Sequence, residues 1–384
     1  MSKSQSDKNI LIIRNASAHD FGGGERIPIE IALQLSSNGY SVLVLSANKS
    51  LLDYARTTGV SAKKSPWLTF QDWQGARNLL IPLYLLWQTY LFFYYLAIFI
   101  RHKIDIIHPQ SKDDFIAATL AAKVLGRKVV WSDYADLKYI FSNLSTRFKN
   151  PIGKVIFRLS RLPEAIIVTS HNDLSLIREA AGKKLSDNYK VIHYGIKDSV
   201  VTASARKTSE RAIRFCMVSR LVDSKGVPDL LEAFESLPNS LAQSELWLFG
   251  EGPDGDKYRE TSKSDSRIKF LGYPDDTLEQ VAACDIFVHP SHMEGFSISL
   301  LEAAKLGLPI IACNVGGNPE LISNDKTGIL VEPKNPIQLA TAMEKLAKDS
   351  ILRQNLGQAI HKKFQKSFVL EDIVKNEILP LYEK

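Results

Sequence analysis

The sequence predicts an α/β protein of two Rossmann-like domains, each built on a parallel sheet. Three observations carry this expectation. The chain has 384 residues, more than one hydrophobic core usually supports. Short apolar runs bounded by turn residues alternate with helical patterns, as parallel sheets made of βαβ units require. The alternation also occurs twice, interrupted by the polar stretch VTASARKTSERAI.

In the first series the candidate strands are Ile10 to Ile13, Val42 to Leu45, Ile104 to His108, Val129 to Trp131, Ala165 to Thr169 and Lys190 to His193. In the second they are Arg214 to Val218, Leu246 to Phe249, Ile268 to Leu271, Ile286 to His289 and Ile310 to Cys313. The expected division is a first domain over 1–205, a second over 206–365, and a C-terminal helix over 366–384 that packs back on the first domain. That helix belongs to a helical pattern from Ile351 to Leu381 with no strand after it.

Composition narrows the setting. Cys216, Cys284 and Cys313 show neither Cys-x-x-Cys nor zinc-ligand spacing, and they read as small buried hydrophobes in a reducing compartment. The opening MSKSQSDKNILIIRN holds no apolar run long enough for a secretory signal before Arg14, so a cytoplasmic protein is expected. The net charge of +6 is uneven: residues 1–205 carry 26 basic and 16 acidic side chains, the remainder 22 and 26. A basic first half suggests an anionic partner there. With no nucleic-acid-binding motif and no run of five basic residues, anionic lipid or a phosphate-bearing acceptor fits better than nucleic acid.

Residues 79–100 read LLIPLYLLWQTYLFFYYLAIFI, uncharged between Arg77 and Arg101. The length suffices to span hydrocarbon. A span is excluded if the strands on either side belong to one sheet. The aromatics Tyr84, Trp87, Tyr90, Phe92, Phe93, Tyr94 and Tyr95 and the following Arg101, His102 and Lys103 favour immersion at a membrane interface, with Trp87, Phe92 and Phe93 toward lipid. A buried helix or an oligomer contact is the alternative. In NPIGKVIFRLSRL, Asn150 is a candidate N-cap with Pro151 in the first turn. Ile152, Val155, Ile156 and Leu159 form an apolar stripe beside Lys154, Arg158 and Arg161, an edge suited to lipid phosphates or simply to solvent.

Glycines mark the candidate chemistry. Gly22, Gly23 and Gly24 lie between the first strand and a helix, where backbone amides can approach an anion or merely turn. In the second half, Arg220 and Lys225 follow the strand of IRFCMVSR, at the end where α/β sheets hold ligands, and two cations five residues apart can both reach a diphosphate. A turn with Gly250 and Gly252 ends the next strand. Glu294 and Glu302 stand with seven residues between them in EGFSISLLE, ahead of a turn at Gly316 and Gly317.

With the glycine loop GGGER, VSRLVDSKG, FGEGP, FLGY, EGFSISLLE, GLPIIACNVGGNPE and TGILV in order, the sequence resembles glycosyltransferase family 4, of the GT-B fold, over nearly its whole length. The resemblance implies two Rossmann-like domains whose sheets face each other across a cleft, and retention of anomeric configuration. It implies a nucleoside diphosphate sugar as donor, with Glu294 on the sugar hydroxyls and Glu302 on the ribose. The amides of Phe296, Ser297 and Ile298 would face the diphosphate, and Gly23, Gly24 and Gly250 would also bind the donor. Arg220 and Lys225 would stabilise the departing charge, and Leu271 and Tyr273 would flank the base. An unbroken helix would set the two glutamates roughly 12 Å apart, too far for a hydrolase dyad.

One departure stands out. Many relatives carry a histidine where Tyr134 stands, so the local site is expected to use Tyr134, Asp133 or Asp136. His19 and His108 are further candidates near strand ends, with packing or capping as the alternative. No metal is implied: Asp254 and Asp256 form an Asp-x-Asp at a helix start, where capping explains them. The expected function is transfer of a sugar to a lipid-linked or glycan acceptor at the cytoplasmic membrane face, without cofactor. A soluble acceptor and a donor-binding pseudoenzyme remain alternatives.

Overall fold

The computed structural model describes residues 8–15, 22–68, 80–134, 136–142, 144, 150–200 and 212–383. The chain forms two compact units, residues 1–194 with 370–384 and residues 195–369. The unit boundaries therefore fall at 194/195 and 369/370, where the sequence suggested 205/206 and 365/366.

The first unit holds a seven-stranded sheet of β1 (Asn9–Ile13), β2 (Ser41–Ser46), β3 (Ala62–Lys64), β4 (Ile106–Pro109), β5 (Lys128–Asp133), β6 (Ala165–Val168) and β7 (Tyr189–Val191). Its order is β3-β2-β1-β4-β5-β6-β7, and every pairing is parallel. The second unit holds β8 (Arg214–Val218), β9 (Glu245–Phe249), β10 (Ile268–Gly272), β11 (Ile286–His289), β12 (Ile310–Cys313) and β13 (Ile329–Val331), ordered β10-β9-β8-β11-β12-β13 and again parallel. In each sheet the chain runs outward on one side and then on the other. Each therefore has a switch point, between β1 and β4 and between β8 and β11, where neighbouring loops diverge and leave room for a ligand. Strands covered on both faces must be apolar throughout, and Ile10, Leu11, Ile12 and Ile13 are fully buried. Cys216, Cys284 and Cys313 are free and buried.

Helices α1 (Gly23–Ser37) and α2 (Lys49–Thr57) follow β1 and β2. Helix α3 (Ile81–Arg101) is long and apolar enough to cross a membrane by length and composition. It does not span, because β3 before it and β4 after it lie in one parallel sheet. One stripe of α3, Tyr84, Gln88, Leu91, Tyr95 and Phe99, is buried, and α3 packs against α4 (Phe115–Val124). That inward stripe carries polar groups: Gln88 donates to the Asp113 carbonyl at 2.9 Å and accepts from the Ala117 amide at 3.2 Å, while Tyr95 donates to Asp114 at 2.5 Å. The outward stripe is apolar: Leu83, Leu86, Tyr90, Phe93 and Ile100 are each more than half exposed. The sequence reading placed Trp87 and Phe92 outward as well. Both instead pack partly against the core, and of that trio Phe93 alone is exposed.

In the helix Pro151–Leu159, Asn150 caps the Gly153 amide at 2.7 Å. The buried stripe is Ile152, Gly153, Ile156 and Phe157; Val155 faces outward, contrary to the expected stripe.

The expected single C-terminal helix is broken. A helix over Ser350–Ser367 ends in the second unit, and the chain re-enters the first unit at Leu370. The returning segment is held by buried polar contacts. Tyr382, fully buried, lies with its hydroxyl 2.6 Å from His108 Nδ1, and Lys128 donates to the carbonyls of Tyr382 and Glu383 at 3.3 and 3.1 Å. His108 has no exposure and its Nε2 lies 2.7 Å from Ser132 Oγ, so both ring nitrogens are engaged inside the unit. This corrects its reading as a ligand contact.

Burial lowers the His108 pKa from 6.5 to about 3, so the folded ring stays neutral while the unfolded chain takes up a proton below pH 6.5. Stability from this group is complete above pH 6.5 and is lost as pH falls toward 3, by up to about 1.4 kcal/mol per pH unit. Urea unfolding of wild type and His108→Gln between pH 7 and 5 should show a shallower acid decline in the variant; parallel declines contradict the assignment.

Candidate active site

In the second unit the switch point between β8 and β11 gathers three ionisable side chains. Lys225 ends a short 3-10 turn, Asp223–Lys225, that follows β8. Glu294 lies in the loop after β11, and His289 is the last residue of that strand. Glu294 Oε1 is 2.5 Å from Lys225 Nζ and 2.8 Å from His289 Nε2. The carboxylate is 10% exposed, the histidine 1%. Burial alone would raise the pKa of Glu294, but the His289 hydrogen bond and the Lys225 charge overcome it and hold the group at about 2. It is a fixed carboxylate.

Two glycines allow this arrangement. Gly226 has φ +72°, and a Cβ there would stand 2.0 Å from the Pro290 carbonyl oxygen. Gly316 has φ +55°, and a Cβ would stand 1.9 Å from the carbonyl oxygen of Glu294. Only glycine lets the loops after β8 and β12 press directly on the backbone that carries Glu294. The Gly317 amide adds a hydrogen bond to the Gly295 carbonyl at 2.7 Å.

The other expected residues stand around this point. Arg220 is exposed just after β8. Gly250 follows β9 and its amide donates to Gly272 at 2.6 Å; Leu271 is in β10 and Tyr273, half exposed, just beyond it. Ser297 caps the helix Ile298–Lys305, with the Leu300 amide 3.5 Å from its hydroxyl. Phe296 turns its ring inward to stack on Phe368, with centroids 5.6 Å apart. Glu302 is half-buried on the helix, whereas Glu294 precedes it, so the two glutamates do not share the unbroken helix used to gauge their spacing. Asp254 accepts from the Asp223 amide at 3.3 Å instead of capping its own helix, and Asp256 pairs with Arg259 at 2.8 Å.

The first unit's switch point holds a second cluster. Tyr134, at the end of β5, donates to Gln110 Oε1 at 2.9 Å and stacks on Tyr194 with ring centroids 5.5 Å apart. The Arg14 guanidinium lies 4.4 Å from the Tyr134 ring centre, donates to the Gln110 carbonyl at 2.9 Å and pairs with Glu25 at 3.2 Å. Burial pushes Tyr134 up to about 12 despite Arg14, so it serves as a donor and not as a base. Gly23 and Gly24 open α1, where Glu25 accepts from the Gly22 amide at 3.0 Å. Asp133 is buried and receives the amides of Asp136 and Leu137 at 2.9 and 3.0 Å. Burial and Asp136 raise its pKa to about 8; its Oδ1 caps the turn, and Oδ2 has no hydrogen-bond partner among the described residues. Asp136 pairs with Lys112 at 3.5 Å. His19 lies outside the described residues.

The sequence reading missed His289, Arg14, Glu25, Gln110 and Tyr194. A histidine closing the otherwise apolar IFVH, at the ligand end of a parallel strand, was the available signal for the first.

Residues 21–200 match the family described as Glycosyltransferase Family 4, and residues 202–363 match Glycosyl transferases group 1. The chain is 32% identical over 286 residues to N-acetyl-alpha-D-glucosaminyl L-malate synthase of Bacillus anthracis, covering 71% of this chain and 73% of that protein. It is 26% identical over 388 residues to a phosphatidylinositol N-acetylglucosaminyltransferase component of Arabidopsis thaliana, covering 95% and 80%. In fold it resembles Anabaena HepE, solved with UDP and glucose, at a TM-score of 0.75 and 20% identity over 98% of this chain and 99% of that one. The fold is that of the GT-B enzymes. The chain belongs to glycosyltransferase family 4 and is a sugar-transferring enzyme.

Gly226→Ala and Gly316→Ala should each destabilise the protein by about 2 kcal/mol or more in urea unfolding, because the new methyl meets backbone at positive φ. At Gly24 an added methyl would meet nothing within 4 Å, so Gly24→Ala should leave stability unchanged or slightly raised. Equal losses at all three positions would contradict this account of the loops.

Proposed function

We propose that this enzyme moves a sugar, with retention of anomeric configuration, from a nucleoside diphosphate sugar to a lipid-linked acceptor, or a glycan, at the cytoplasmic face of a membrane. The observation that carries the membrane assignment is α3: Gln88 and Tyr95 turn their polar groups into the protein, and apart from Thr89 its exposed stripe is hydrocarbon and aromatic. Water disfavours such a stripe and a lipid interface favours it. Exposed Lys63, Lys64, Arg101 and Lys103 lie on β3 and at the end of α3, where anionic lipid would attract them. The plant relative's name, which specifies phosphatidylinositol, agrees with a lipid acceptor.

At the second unit's switch point, Lys225 and Arg220 take the charge of the diphosphate, and no metal ion is needed for that task. Glu294, held ionised, receives sugar hydroxyls, and Glu302 receives the ribose hydroxyls. The bond from the anomeric carbon to the diphosphate breaks while the acceptor oxygen bonds on the same face, and the acceptor proton passes to the departing diphosphate. HepE, with UDP and glucose bound in the same fold, supports this donor class. The Bacillus relative, named for L-malate, favours a second reading with a soluble acceptor.

Incubation with UDP-glucose, UDP-galactose, UDP-N-acetylglucosamine and GDP-mannose, with and without membrane lipid extract, tests the reaction; transfer requiring the extract is expected, and transfer only to soluble acceptors supports the second reading. Glu294→Ala should lower kcat about a hundred-fold with little change in donor affinity, whereas Glu302→Ala should weaken donor binding about tenfold. Equal effects on binding alone contradict this division.

Binding to vesicles should rise with anionic lipid content and fall, but not to zero, with added salt. The combined variant Leu86→Ser, Tyr90→Ser, Phe93→Ser should abolish the salt-resistant part and keep a cooperative melt, since these side chains are exposed. Wild-type binding by that variant, or its unfolding, would contradict the interfacial assignment.

A further inference from the structure

We propose that His289 is a positioning residue that keeps the Glu294 carboxylate in place when the donor diphosphate draws Lys225 away. The inference rests on the nucleotide-sugar reading above. Both partners bind the same oxygen: Lys225 Nζ and His289 Nε2 lie 2.5 and 2.8 Å from Glu294 Oε1, and neither contact uses Oε2. They differ in freedom. Lys225 sits on a short turn with its side chain 20% exposed, on a flexible stem, and a diphosphate offers its ammonium more negative charge than one carboxylate does. His289 ends a central strand of the sheet and is 1% exposed.

The ring's bonding points the same way. A carboxylate accepts only, so His289 Nε2 carries the proton and donates it. Nδ1 is buried and has no hydrogen-bond partner among the described residues. The bond to Glu294 is thus the hydrogen bond that this buried imidazole makes among the described residues. Once Lys225 turns to phosphate, that bond still aims Glu294 at the moving sugar, and a lost aim is felt in the transition state.

The test pairs His289→Leu, which keeps bulk, with His289→Gln, which returns a donor near Nε2. With the donor that the panel selects, His289→Leu should lower kcat about ten- to a hundred-fold, as loss of a charge-assisted hydrogen bond does, while donor Kd stays within about threefold. His289→Gln should recover most of the rate, and in a Glu294→Ala background, where no acceptor remains, His289→Leu should add little. A wild-type kcat for His289→Leu, equal impairment of the glutamine variant, or a donor-affinity loss that accounts for the rate would overturn the proposal. Nitrogen-15 spectra of histidine-labelled protein test the pairing even if no donor is turned over. The hydrogen-bonded Nε2 proton of His289 should persist in Lys225→Met and vanish in Glu294→Leu, which removes the acceptor; its loss in Lys225→Met would overturn the proposal by itself.

Discussion

The Glu294 carboxylate, gripped by Lys225 from one loop and His289 from the neighbouring strand, is the contact around which the second unit's candidate site is built. A carboxylate at 10% exposure is tolerable only if cations or donors replace its water, and here they do so at one oxygen. The sheet order makes the contact possible. β8 and β11 are neighbours, although Lys225 and Glu294 are 69 positions apart. The glycines then let three loops close on one another near that carboxylate. Loss of any of these features would leave a buried charge without compensation or a helix N-terminus without a carboxylate before it.

The first unit obeys a different constraint. Its sheet fixes β3 and β4 on the same side of any bilayer, so the apolar helix between them does not cross one. Packing against α4 then takes up the stripe with Gln88 and Tyr95, and the hydrocarbon stripe is left outside. A soluble amphipathic helix has the opposite arrangement.

Much of this is legible in the sequence. Arg214–Val218, Ile286–His289 and Ile310–Cys313 coincide with their strands because buried parallel strands are continuous apolar runs between turn residues. Ala62–Lys64 escapes such a reading: a three-residue edge strand with two exposed lysines carries no such signal. Helical periodicity runs on past Phe368, so the break where the chain returns to the first unit leaves no local mark. His108 looks like a ligand because it closes a strand, and the residue that buries it, Tyr382, is 274 positions away. His289 looks like strand for the same reason, its partner lying in a loop whose course depends on the glycines after β12. Periodicity reports which residues face a core, whereas the partner of a buried polar group is decided by tertiary structure.

The most direct measurement of the central claim is a crystal structure of the enzyme with UDP bound. Lys225 Nζ should have moved onto the diphosphate, with His289 Nε2 and Glu294 still within about 3.2 Å of each other. A structure in which Glu294 has left His289, or in which Lys225 stays on Glu294 and makes no contact with the diphosphate, would contradict the account.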